Sequence, residues 1–126
     1  MREGYRRPIP ATWWLQKRSY SLFMLREFTS VFVGGYAFFL LVLVSRAQDP
    51  ASFASFYEAL MSPLSIVLHV LALAMVLYHT VTWLNLTPKV VIVWRGEQKL
   101  APFVIAGAHY LLWLVTSGAV VWLVLS

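Results

Sequence analysis

The chain reads as an all-α membrane protein with three transmembrane helices, and three observations predict that class. Hydrophobic residues make up 60% of its 126 positions and charged ones only 12%, with a mean hydropathy of +0.72, well outside the averages for soluble domains. Three stretches free of Asp, Glu, Lys and Arg are each long enough to cross a hydrocarbon core of about 30 Å, which takes about 20 helical residues. Those stretches are continuously apolar rather than alternating, which favours helices over barrel strands.

The first charge-free run covers 28–45. It is short for a span, but the preceding residues, Ser19 to Glu27, are good helix formers with Ser19 and Ser21 as possible N-caps. Helix 1 is therefore predicted at about 20–45, behind a basic arm over 1–18. Helix 2 is predicted at about 63–87, within the charge-free span 59–88, and helix 3 at about 101–125, within 100–126. Together they form one membrane domain over 1–126. The basic arm is too long and helix 1 lacks a small-residue cleavage site, so no signal peptide is expected. The arm is the largest extramembrane segment, and a separate soluble domain is not expected.

Orientation follows from the basic residues. Residues 1–27 hold Arg2, Arg6, Arg7, Lys17, Arg18 and Arg26 against Glu3 and Glu27, a net charge of +4. The segment between helices 1 and 2 carries Arg46, Asp49 and Glu58, net −1, and that between helices 2 and 3 carries Lys89, Arg95, Glu97 and Lys99, net +2. The positive-inside rule then predicts a cytoplasmic N-terminus and a C-terminus outside. Helix 1 begins and helix 2 ends at the same face.

An ionisable group close to hydrocarbon is costly unless it is paired, hydrated or employed. Glu27, at the boundary between the arm and the first apolar run, is accordingly the first candidate functional residue, with Arg26 beside it. The end of helix 2, Tyr78-His79-Thr80-Val81-Thr82-Trp83-Leu84-Asn85, is the most polar part of the three spans. His79, Thr82 and Trp83 are spaced three and four apart and share one helix face. Such a place suits a small amphipathic ring compound with an apolar tail, held by aromatic walls and served by a titratable group; a quinone has that chemistry. Each residue also has a plainer reading. Glu27 could complement a helix dipole or a nearby cation, Arg26 could snorkel to lipid phosphate, and His79 could bond a neighbouring helix. Trp83, like Trp13 and Trp14, could be an interfacial anchor. Gly34-Gly35 and Ser117-Gly118-Ala119 read as close-packing positions.

Cysteine is absent, so the chain has no disulfide and no thiolate ligand for an iron–sulfur cluster. No glycine-rich phosphate loop or HExxH spacing is present, and no nucleic-acid partner is expected. His79 and His109 fall at similar predicted depth and are a conceivable axial pair for haem; His69, about 15 Å further along helix 2, is not. No haem is expected. Three spans with sparse midmembrane polarity also argue against a transporter.

Arg7-Pro8, Thr12-Trp13-Trp14, Phe23-Met24-Leu25-Arg26-Glu27, Leu77-Tyr78-His79-Thr80-Val81-Thr82-Trp83 and Pro88-Lys89, in that order, resemble the C-subunit family of fumarate reductase. The resemblance extends from the arm to the loop after helix 2. It implies a non-catalytic anchor in the bacterial inner (cytoplasmic) membrane, with a periplasmic C-terminus. The implied partners are a flavoprotein subunit, an iron–sulfur subunit and a second small anchor of the D-subunit type, with menaquinone bound at their interface. At matched positions it implies that Glu27 accepts protons from menaquinol, Arg26 positions the quinone or the anchor interface, and His79, Thr82 and Trp83 line the pocket. Val81 stands where many family members have Lys, which removes one donor. The alternatives are a structural adaptor without a quinone site of its own and a haem-b-binding anchor of the succinate dehydrogenase type.

Overall fold

The structure, a computed structural model, describes residues 8–126; Arg2, Glu3, Arg6 and Arg7 of the basic arm lie outside the described residues. Its elements are a 3-10 turn over Trp13–Leu15, helices α1 (Arg18–Arg46), α2 (Pro50–Leu60), α3 (Pro63–Val90) and α4 (Pro102–Leu125), and a two-stranded hairpin, β1 (Trp94–Arg95) and β2 (Gln98–Lys99), before α4. Helices α1, α3 and α4 are each long and apolar enough to cross a membrane. The chain is a multi-pass membrane protein.

Helix α1 starts at Arg18, and neither predicted serine caps it. Lys17 takes the N-cap position in an extended conformation without a side-chain bond. Ser21 instead donates its hydroxyl to the Trp14 carbonyl at 2.9 Å, and Trp13 meets Tyr20 edge-on with centroids 5.5 Å apart. The serine thus folds the 3-10 turn back onto α1. At 1.5 Å per residue the 29 residues of α1 extend about 44 Å, the thickness of a bilayer with both headgroup layers.

Helix α2 is the main departure from the expected three-helix layout, which has no element in this connection. Asp49 accepts the Ser52 N–H at 2.8 Å and Pro50 occupies the first turn, the preferred chemistry for a helix start. At 3.6 residues per turn, Phe53, Phe56, Tyr57 and Leu60 share one face, while Ser52, Ser55 and Glu58 lie on the other. Phe56 stacks on Phe39 of α1 at 6.1 Å. The Ser52 hydrogen bonds hold the Asp49 carboxyl below its ordinary value of 3.8. Because the folded pKa is depressed, this support for α2 is complete above the ordinary value and disappears as pH falls through the lower folded one. Ser52 amide exchange should accelerate in that acid window, and Asp49→Ala should produce the same acceleration at neutral pH.

The described residues divide into two units whose boundary falls inside α3, between Val76 and Leu77. In the first unit, α3 opens with the Ser62 hydroxyl accepting the Ser65 N–H at 3.3 Å. One turn on, His69 Nδ1 bonds the Ser65 carbonyl at 2.8 Å, and its ring stands edge-on to Tyr36 at 5.8 Å and Phe39 at 5.0 Å. In the second unit, α3 runs on through Pro88 to Val90; Pro88 has no N–H to return to the Leu84 carbonyl, so the helix loses one ladder bond in its last turns. The hairpin pairs Arg95 with Gln98, and its turn needs Gly96, which has φ of +64°. Lys99 Nζ lies 5.0 Å from the Trp94 ring centre.

Among the described residues only Thr29 and Ile105 are buried. Large apolar side chains such as Leu41, Leu71 and Leu114 face outward. In water such a surface would be an aggregation liability; in a bilayer it is solvated by hydrocarbon.

Candidate functional site

Arg26 and Glu27 lie in the third turn of α1. Neighbours in sequence do not share a helix face, yet the Arg26 side chain bends across and its Nε and Nη2 donate to Glu27 Oε1 at 3.2 and 3.0 Å. Both bonds fall on one oxygen. Glu27 Oε2 receives no hydrogen bond from the described residues, and the Glu27 side chain is 43% exposed against 15% for Arg26. The Arg26 guanidinium also sits 5.0 Å from the centre of the Phe23 ring, a cation–π contact that helps hold it. Thr29 and Ser30 turn their hydroxyls back to the carbonyls of Arg26 and Glu27. The result is a carboxylate with one oxygen fixed and one open.

Against these same turns lies an apolar cavity of about 350 Å³, lined by Trp14, Ser21, Met24, Leu25 and Phe28. Trp14, expected to anchor the arm, stands in the cavity wall, and that place depends on the Ser21 bond to its carbonyl. In the sequence Ser21 signals only a cap, so its positioning role is not legible there.

His79, Thr82 and Trp83 lie about two to three turns before the C-terminal end of α3. The rings of His79 and Trp83 are 6.1 Å apart at 47°, the expected meeting of i and i+4 side chains. Thr82 Oγ1 donates to the Tyr78 and His79 carbonyls at 2.8 and 3.0 Å. Its proton is thus committed to backbone, and Thr82 is left as an acceptor. Tyr110 of α4 donates to Asn85 Oδ1 at 3.2 Å, joining two helices through a pair that sequence reasoning did not single out. His109 Nδ1 bonds the Ile105 carbonyl at 2.7 Å, which leaves Nε2 as its outward nitrogen. Among the described residues no group of three or more His, Cys, Asp or Glu side chains could hold a metal ion.

Three spans, a charged pair in the third turn of the first and polar side chains in the C-terminal half of the second define a small multi-pass membrane protein. The chain belongs to the C-subunit family of fumarate reductase, whose model matches residues 1–125. It is 42% identical over 126 residues to the fumarate reductase C-subunit of Mycobacterium tuberculosis (strain CDC 1551 / Oshkosh), covering 98% of each chain. To that of Haemophilus influenzae it is 38% identical over 120 residues, covering 92% of this chain and 89% of the relative. To that of an Enterobacter species it is 36% identical over 118 residues, covering 92% and 87%.

Proposed function

We propose that this chain is the membrane anchor of a quinol:fumarate reductase in the bacterial inner membrane. It holds the flavoprotein and iron–sulfur subunits on the membrane together with a second small anchor of the D-subunit type, and it contributes to the menaquinol site. It does not reduce fumarate itself. The N-terminal arm lies in the cytoplasm and the C-terminus in the periplasm, a reading that rests on the excess of basic residues in the arm and in the hairpin segment.

The observation that carries the quinol part is the half-engaged Glu27 carboxylate. When bound, menaquinol would supply two electrons, which pass to the iron–sulfur subunit, and two protons, which Glu27 Oε2 would take one at a time and release to water, while Oε1 stays anchored on Arg26 and fixes the direction of the open oxygen. The wall of Trp14, Met24, Leu25 and Phe28 gives a ring and the start of its tail an apolar surface. His79 and Trp83, whose rings meet on α3, and Thr82, whose proton is held by backbone, are assigned to quinol binding on the family resemblance alone. No haem takes part in this reading.

The first test is recovery of the assembly. The chain, tagged at its N-terminus and extracted from native membranes in mild detergent, should bring with it a flavoprotein, an iron–sulfur protein and a second small membrane chain, read by mass spectrometry. Recovery as a stable, monodisperse single chain would sink the anchor reading.

A further inference from the structure

The far end of α1 holds another cavity, this one with charged and polar lining, that the quinol chemistry does not use. It measures about 480 Å³ and is lined by Leu41, Val42, Ser45, Arg46, Asp49 and Ser52. Its depth follows from helix length. With α1 about 44 Å long, Arg46 as its last residue falls in the headgroup layer, and Val42, one turn earlier, lies toward the hydrocarbon. Helix α2, at 11 residues, is far too short to cross and begins just after α1 ends. The cavity mouth is therefore held at the bilayer boundary by the chain itself.

Its chemistry is two-signed. Arg46 and Asp49 line the same cavity, yet they form no ion pair with each other; the ion pair among the described residues is Arg26–Glu27. Asp49 Oδ2 accepts the Ser52 N–H, and the Ser52 hydroxyl and the Ala51 N–H also bond the carboxylate, which keeps it charged and in place at the start of α2 with lone pairs still available to a cationic donor. Ser45 stands between the charges and the apolar wall, and Leu41, 68% exposed, continues that wall toward the membrane interior. On α2, exposed Phe53 and Tyr57 form an aromatic pair at 6.2 Å, on the face that suits a headgroup–acyl boundary.

We propose that this cavity binds the headgroup of an aminophospholipid, with Arg46 on the phosphate, Asp49 on the primary ammonium and the first acyl carbons along Leu41 and Val42. Guanidinium and phosphate make the strongest of these contacts, a charge-assisted and potentially bidentate one. Asp49 sets the selectivity. A headgroup that carries only a phosphate brings like charge to the carboxylate, and a choline headgroup has no N–H to give it. Phosphatidylethanolamine satisfies both side chains. The proposal does not depend on the quinol reading, since none of its residues belongs to that site.

The test uses the chain purified from native membranes with the polypeptides that accompany it, exchanged into lipid-free detergent. Phosphatidylethanolamine, phosphatidylglycerol or phosphatidylcholine of matched acyl chains is then returned, and retained lipid is counted by native mass spectrometry. The natural chain should retain phosphatidylethanolamine over the other two by on the order of tenfold, the effect of about one charge-assisted hydrogen bond. Arg46→Gln should abolish that retention. Asp49→Asn keeps a competent helix cap but removes the charge, so it should retain phosphatidylglycerol as well as phosphatidylethanolamine; it decides the matter alone if Arg46→Gln fails to accumulate. Equal retention of all three lipids by the natural chain, or a selectivity untouched by both substitutions, overturns the proposal. So does a photo-crosslinking residue at Ser45 that labels an accompanying polypeptide instead of lipid.

Discussion

Glu27→Gln should lower quinol oxidation by about 10²-fold or more, the usual range for losing a positioned proton acceptor, while the membrane assembly should be recovered in full. The separation of the two effects follows from the local geometry. Glutamine has nearly the shape of glutamate, and its carbonyl oxygen can take the place of Oε1 as acceptor for Arg26 Nε and Nη2. What disappears is a basic oxygen at the position of Oε2. Stability should barely change, because a surface pair with one side chain 43% exposed contributes little in a screened environment. Fumarate reduction driven by a soluble electron donor, which bypasses the membrane, should proceed at the original rate. Glu58→Gln, on the polar face of α2, serves as a charge-matched control and should leave quinol turnover unchanged. Unaltered quinol turnover in Glu27→Gln would favour the adaptor reading, in which another chain supplies the proton acceptor.

The three spans are legible because a membrane imposes a length and a composition, and both are written into charge-free runs. What lies between the spans is harder to read. The signal for α2, Asp49 followed by Pro50, is a good helix start, but eleven residues of mixed Ala, Ser and aromatic side chains carry no span-length signal. The hairpin at Trp94–Lys99 has two residues per strand, too few for an alternating pattern to register. At the site, residue types are legible and their couplings are not. Nothing in Arg26-Glu27 as adjacent letters says that the side chains meet around the helix, since i and i+1 normally diverge. Ser21 reads as a cap and serves to hold Trp14. Thr82 reads as a pocket-lining residue, and its proton goes to its own helix. In each case a short polar side chain has a local backbone partner and a distant one as alternatives, and composition does not decide between them.

Gly35→Leu should leave the chain itself intact and cut recovery of the proposed second anchor. Gly34-Gly35 reads in the sequence as a close-packing position, yet a Cβ built at either glycine meets nothing within 4 Å among the described residues. No described residue therefore packs directly onto either glycine. Gly35 opens instead into a cavity of about 470 Å³ walled by Phe32, Tyr36, Phe39 and His69, so a leucine there has room. It also replaces a poor helix former by a good one, a gain of up to about 1 kcal/mol for α1 taken alone. Any penalty must then come from outside the chain. Lipid tails are as apolar as leucine and would rearrange around it, whereas a partner helix fitted to a glycine surface cannot. An overpacked helix contact costs about 1–3 kcal/mol, so the ratio of the second small membrane chain to this one in a pull-down should fall by about five- to 150-fold, with the amount of this chain inserted in the membrane unchanged. A wild-type ratio would place the partner on a different face of α1 and leave the groove beside Gly35 to lipid.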